Sequence, residues 1–91
     1  MTVTIDVPAP LRAYCGGASR FQLSAGNVRA AFEEIERRYP SLYTSVCDET
    51  GAVRRHVNVF VNTANVRDER GLDTALAPGD VVTIMTAVSG G

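Results

Sequence analysis

The feature that most constrains the fold is one helical stripe set among segments that alternate with period two. Between residues 27 and 39 the apolar side chains recur at the spacing of a helix face: Val28, Ala31, Phe32, Ile35 and Tyr39. Asn27 suits the N-cap, and Pro40 is expected to end the helix. A chain with one such helix needs a sheet against which to bury the stripe.

The period-two segments predict that sheet. Strands are expected at 2–7, 20–23, 53–62, near 64–67 and at 81–88, with Val57, Val59 and Val61 sharing one face. In the last strand Val82 and Ile84 are expected to face inward. The order β-β-α-β-β-β predicts an α+β fold in two layers: a mixed sheet, its first and last strands paired centrally, with one main helix on one face. This domain is expected over residues 1–87, followed by a flexible tail at 88–91.

Composition excludes several classes of function. With 91 residues and a net charge of -1, the chain is one domain without the basic field that nucleic acid or an anionic membrane requires. No apolar run is long enough for a membrane span, and the N-terminus lacks a signal-peptide layout, so a cytoplasmic location is expected. All nine basic residues are arginine, which excludes a P-loop and a lysine Schiff base.

The interior of the chain offers little for catalysis or metal binding. His56 is expected to lie on the strand face opposite the valine stripe and to be exposed, and no catalytic motif surrounds it. Cys15 and Cys47 are expected to be free buried thiols, and the alternative for Cys15 is a reactive thiol at the glycine turn. No metal site is expected. The chain is therefore not expected to be an enzyme.

The C-terminal residues "AVSGG" have the carboxylate of Gly91 as their last functional group. A tail of three or four residues reaches about 10–13 Å, enough to enter another protein's active site. A terminal carboxyl group has a pKa of about 3.5, so it is ionised at neutral pH and is a poor electrophile. It would need activation by a partner, most simply as an acyl adenylate. The alternative is a frayed terminus that happens to end in two glycines.

Five features in order carry a resemblance to a known family. They are the strand-strand-helix-strand order, "VNVFVN" at 57–62, "VR" at 66–67, "PGD" before the last strand and the terminal Gly-Gly. Together they resemble the ubiquitin-like sulfur carriers of the ThiS and MoaD type, and "VPAPLR" with "RRHVNVFVN" looks closest to the CysO branch, associated with cysteine biosynthesis. The resemblance covers essentially the whole chain and implies a β-grasp fold.

The resemblance also implies a sulfur shuttle. An E1-like enzyme would use ATP and magnesium to adenylate Gly91, and sulfur would then replace AMP to give a thiocarboxylate. Gly90, Ser89 and Val88 would thread the tail into the partner, and the carrier itself would bind no cofactor. A cysteine synthase-like enzyme is the favoured sulfur acceptor, with a metalloprotease releasing cysteine. Molybdopterin, thiamin and secondary-metabolite pathways use carriers of the same outline.

A docking surface is predicted separately from the strand pattern. Phe60 and Met85 point away from the core stripes of their strands, and together they are expected to form an apolar patch on the open sheet face. Two other functions stay open. The chain could be a ubiquitin-like modifier conjugated through Gly91, although without lysine it cannot form lysine-linked polymers of itself. It could also be a β-grasp binding module with an idle tail.

Overall fold

The computed structural model describes residues 2–86 and contains the predicted mixed sheet. Its strands are β1 (Val3–Asp6), β2 (Arg20–Leu23), β3 (Val57–Val61), β4 (Ala64–Asn65) and β5 (Val81–Thr86). Two α-helices, α1 (Val28–Arg38) and α2 (Pro40–Val46), lie between β2 and β3. Short 3-10 helices occupy Ala9–Cys15, Val66–Asp68 and Gly71–Asp73. The α+β class predicted from the sequence is confirmed.

The order of the strands across the sheet is β2-β1-β5-β3-β4. β1 and β5 pair in parallel, with Ile5 beside Val82, and the other neighbours are antiparallel. The first and last strands are therefore both interior strands, as predicted. Because β5 is hydrogen-bonded on both sides, the chain leaves the described region from the middle of the sheet.

The core lies between the sheet and the helices. It is built from alternating residues in and beside the strands, from the α1 stripe and from α2, and its largest fully buried members are Ile5, Val7, Val28, Ile35, Leu42, Val46, Cys47, Val57, Val59, Val82 and Ile84. Tyr39, the last residue of the predicted stripe, is half-buried against this core. Asn27 caps α1 as predicted, because its side-chain oxygen accepts a 2.8 Å hydrogen bond from the Ala30 amide.

The segment after α1 differs from the prediction. Pro40 ends α1, but it also begins α2, since proline at the first position of a helix lacks only an N–H that would be unpaired there. α2 buries Leu42 and Val46. The stretch has too few residues for its helical period to stand out, so no sequence pattern predicts this helix.

Several boundaries are shorter than predicted. The strand expected at 53–62 begins at Val57, because the Val57 amide donates to the Arg54 carbonyl at 3.0 Å and closes a turn over Arg55 and His56. The strand near 64–67 ends at Asn65 and passes into a 3-10 helix. The β1–β2 hairpin is confirmed, but its connection is a 3-10 helix followed by Gly16 and Gly17 at positive φ.

The last predicted strand extends in the structure through Thr86, and residues 87–91 lie outside the described residues. The predicted division into a domain at 1–87 and a tail at 88–91 therefore stays a prediction. Within residues 2–86, neither helix has the length and apolar character required to cross a membrane.

The second helix supplies the first testable prediction. Leu42→Ala removes a fully buried side chain from α2, so we expect the free energy of unfolding to fall by about 2–5 kcal/mol, measured by urea denaturation. Ser41→Ala changes the exposed neighbour on the same helix and is expected to shift stability by less than about 0.5 kcal/mol. Equal stability of both variants would mean that α2 does not pack on the core.

Candidate docking face and carrier terminus

The face of the sheet opposite the helices brings the two predicted docking residues together. β3 and β5 are antiparallel, and their register places Asn58 opposite Met85 and Phe60 opposite Thr83. Phe60 and Met85 are therefore diagonal neighbours on one face, a spacing of about 7–8 Å between Cα atoms that long side chains can bridge. Met85 is 51% exposed and Phe60 is half-buried. The outward orientation predicted for both side chains is confirmed.

Polar residues surround this apolar pair. Along β1, Thr4 and Asp6 share the same face and lie beside Val81 and Thr83 of β5. The carboxylate of Asp6 meets the guanidinium of Arg20 across the β1–β2 pair at 3.6 Å. An exposed methionine and a phenylalanine inside a polar rim have the layout of a small protein-docking surface.

Arg67 ties the other side of this face together. Its guanidinium donates to the side-chain oxygen of Asn58 at 2.6 Å and to the carbonyls of Val57 at 2.9 Å and Arg54 at 3.2 Å. The side-chain amide of Asn65 also reaches Asn58, at 3.4 Å. The planar guanidinium of Arg67 thus joins the segment after β4 to the turn before β3. A lysine ammonium could not make these bonds with the same geometry.

This tie lies beside the point where the described chain ends. Val57, whose carbonyl accepts from Arg67, is the register partner of Thr86, the last residue of β5. The predicted carrier residue Gly91 and the predicted threading residues Gly90, Ser89 and Val88 lie outside the described residues. Their roles stay predictions, and the structure supplies the surface from which they depart.

The two cysteines are free and buried, as predicted. Burial, with a smaller contribution from the nearby charge of Asp48, raises the pKa of the Cys47 thiol to about 11. Burial also raises the pKa of Cys15, and its thiol donates to the backbone carbonyls of Arg12 and Ala18. Both groups are therefore protonated at neutral pH, and a protonated thiol is a weak nucleophile. The alternative of a reactive thiol at Cys15 is therefore not favoured.

His56 and a cavity beside β3 are two further features of the described residues. His56 is exposed at the tip of the turn before β3 rather than in the strand itself. A cavity of about 230 Å³ is lined mainly by apolar residues, among them Val53, Val59 and Leu72, with Arg67 at its margin. Among residues 2–86, no three histidine, cysteine or acidic side chains are grouped as metal ligands would be.

Sequence reasoning missed the part played by Arg67. The dipeptide "VR" at 66–67 contributed to the family resemblance, but nothing local assigns a hydrogen-bond partner to the arginine. Its acceptors lie 9 to 13 positions earlier in the chain and become neighbours only when β3 and β4 pair. The one available signal was the choice of arginine over lysine, since a fork with several donors suits a site with several acceptors.

The sequence and the fold are both similar to those of known proteins. Residues 5–91 match the model of the ThiS family. The sequence is 38% identical over 93 aligned residues to the sulfur carrier protein CysO of Mycobacterium tuberculosis, covering 100% of both chains. The crystal structure of that CysO superposes with a TM-score of 0.87 and 36% identity, covering 94% of this chain and 99% of that one.

Two further solved structures are similar. The Amycolatopsis orientalis BexX/CysO complex contains a chain with a TM-score of 0.90 and 31% identity, covering 98% of this chain and 99% of that one. The small archaeal modifier protein 1 of Methanosarcina acetivorans matches with a TM-score of 0.84 and 28% identity, covering 99% of this chain and 96% of that one.

A mixed five-stranded sheet with its first and last strands paired in parallel and helices on one face defines the β-grasp class of ubiquitin-like proteins. Within that class, the chain belongs to the ThiS family. The resemblance inferred from the sequence is thereby confirmed, and the relatives are named as carriers rather than as catalysts.

The buried thiol at position 47 supplies a prediction about pH. The folded state holds the Cys47 proton up to a pKa of about 11, whereas the unfolded state releases it near the ordinary value of 9.0. This stabilisation is complete below pH 9 and is lost as the pH rises towards 11. We therefore expect the free energy of unfolding of the wild type to fall more steeply than that of Cys47→Ala over this range. Parallel stability curves from denaturant titrations would contradict the assignment.

Proposed function

We propose that this protein is a sulfur carrier whose C-terminal Gly91 is adenylated by an E1-like enzyme and converted to a thiocarboxylate. The observation that carries the proposal is the match to the ThiS family, which extends from residue 5 to the terminal glycine. The full-length similarity to a protein named as a sulfur carrier supports it. So does the protonated state of the two thiols, which leaves the terminus as the better candidate for carrying sulfur.

The proposed chemistry follows from the state of the terminal group. The Gly91 carboxylate is ionised at neutral pH and resists attack by sulfide. On the partner enzyme, one of its oxygens bonds to the α-phosphorus of ATP and pyrophosphate leaves. Sulfide then forms a bond to the Gly91 carbonyl carbon, AMP departs with the oxygen, and the thiocarboxylate remains. ATP and magnesium belong to the partner, and the carrier binds no cofactor of its own.

The carrier's own contribution is presentation. The sheet supports the tail at Thr86, which is held by pairing with Val57, and the face with Phe60 and Met85 would dock on the partner. Val88, Ser89 and Gly90 would then pass through a channel too narrow for large side chains. Glycine suits the last positions because it lacks a Cβ and can adopt backbone angles that other residues avoid.

Cysteine biosynthesis is the favoured pathway, with a cysteine synthase-like acceptor and a metalloprotease that releases the product. The similarity to CysO proteins supports this choice over molybdopterin and thiamin. The chain is also similar to a chain of the BexX/CysO complex, and a secondary-metabolite pathway stays an alternative. On this proposal, the carrier works in the cytoplasm beside these enzymes.

A second candidate function is protein modification through Gly91. The structural match to a small archaeal modifier protein favours it. The absence of lysine from the sequence restricts it to attachment to other proteins, because the chain offers no lysine for its own extension. The third alternative, a binding module with an idle tail, has no such observation in its favour.

The decisive experiment is intact-mass analysis after incubation with the E1-like enzyme, ATP, magnesium and sulfide. We expect the mass to rise by the difference between one sulfur and one oxygen. Deletion of Gly91 is expected to abolish the change, since the acyl group then lies one residue short of the active site, while the circular dichroism spectrum stays the same. Higher-mass conjugates would support the modifier instead. An unmodified mass under these conditions would contradict both functions.

The docking face supplies a separate prediction. Phe60→Asp and Met85→Asp each place a charge in the apolar patch, so we expect the apparent KM for the carrier in the adenylation reaction to rise by about tenfold or more. Tyr14→Asp is the matched control, because Tyr14 is 47% exposed but lies in the 3-10 helix between β1 and β2. If all three variants are adenylated as efficiently as the wild type, the patch is not the docking face.

A further inference from the structure

The turn before β3 and the segment after β4 together concentrate positive charge in a chain that is otherwise slightly acidic. Residues 52–67 contain three arginines and neither aspartate nor glutamate, although the whole chain has ten acidic and nine basic residues. The three are Arg54, Arg55 and Arg67, which we call the basic collar. The hydrogen bond from Arg67 to the Arg54 carbonyl, at 3.2 Å, brings the two ends of this sequence segment together.

The charge of the collar is not cancelled by ion pairs within the described chain. The three ion pairs found among residues 2–86 involve Arg20, Arg29 and Arg37. Arg67 donates to carbonyl oxygens and to an amide oxygen, which are neutral acceptors. Arg55 is exposed, and none of the described residues forms a hydrogen bond or ion pair with its side chain.

Arg54 is held against the helix that precedes the turn. Its Nε donates to the carbonyl of Thr44 at 2.8 Å, which anchors the turn to α2. Its charge also acts on Asp48, where hydrogen bonds from Thr50 are the main reason that the carboxyl pKa is lowered and Arg54 adds to the effect. The charge available to a partner is therefore mainly that of Arg55 and Arg67, although Asp68 follows Arg67 directly in the sequence.

The short segment between Thr86 and Gly91 requires an enzyme that acts on Gly91 to lie close to the basic collar. Five residues follow Thr86, and even fully extended they span at most about 17 Å. Val57, the residue after the turn, is the register partner of Thr86. An enzyme that reaches Gly91 must therefore bring its surface to this end of the sheet. The other end of β5 carries an acidic residue instead of arginines. There the carboxylate of Asp80 accepts hydrogen bonds from the Asn62 side chain and from the Ala77 amide.

We propose that the basic collar docks on an acidic segment of the enzyme that activates Gly91, an inference that rests on the proposed carrier function. Opposite charges at an interface rim mainly raise the rate of association and fix orientation. The collar continues the face formed by Phe60 and Met85, since Asn58 both accepts from Arg67 and lies opposite Met85. The apolar patch would supply contact area, and the collar would align the end of β5 with the channel for the tail.

The test compares two charge reversals in ATP–pyrophosphate exchange by the E1-like enzyme. Arg55→Glu alters the collar at a residue without described side-chain bonds, so the fold is expected to persist, as circular dichroism will show. Arg37→Glu makes the same change of two charge units on α1, away from the sheet face. We expect Arg55→Glu to raise the KM for the carrier about tenfold with little change in kcat, and Arg37→Glu to stay within about twofold of wild type.

Ionic strength provides a second readout. For the wild type, the KM for the carrier is expected to rise with salt, and this dependence should be weaker for Arg55→Glu, because screening acts only on the attraction that the collar supplies. Equal behaviour of the two variants would overturn the inference while leaving the carrier function intact. A rise in the KM for ATP alone would also overturn it, since the anion would then be the nucleotide. If the wild type supports no exchange, the carrier function fails and the collar inference fails with it.

Discussion

The parallel pairing of β1 with β5 is the contact on which the rest of the structure depends. It joins residues near the two ends of the chain, with Ile5 beside Val82, and it places both strands inside the sheet. β5 then pairs with β3 on its other side, so the strand that carries the terminus is hydrogen-bonded along both edges. Closing so long a loop costs chain entropy, which the buried valines and isoleucines at this centre must offset.

The same strand serves both the core and the docking face. Val82 and Ile84 are buried under the helices, whereas Thr83 and Met85 face outward beside Phe60. A shift of one residue in the register would exchange the buried and the outward-facing residues of β5. The packing of the core therefore also determines which side chains form the outer surface. Through this coupling, the packing of a small core gives the protein a defined outer surface.

Sequence patterns predicted the parts of the fold that repeat with a regular period. The α1 stripe, the Asn27 cap, the buried faces of β3 and β5 and the outward Phe60 and Met85 follow from periods of 3.6 and two. The helix at Pro40–Val46 and the 3-10 helix at Ala9–Cys15 did not, because each has only two buried residues and no repeating signal. The contacts of Arg67 depend on strands distant in sequence, which no local pattern specifies. The roles of Gly90 and Gly91 came from composition and resemblance, and they lie outside the described residues.

The burial of both cysteines affects how much sulfur is lost to side reactions with the protein's own thiols. A protein that meets sulfide, persulfides and activated acyl groups would be exposed to exchange on any ionised thiol of its own. Cys15 and Cys47 are enclosed and protonated, so they compete poorly for the sulfur that a partner delivers. On the proposed function, the two thiols of the folded domain would then react little with the sulfur donors that the carrier meets. Each activation would yield one sulfur at one defined position, with little loss to mixed disulfides.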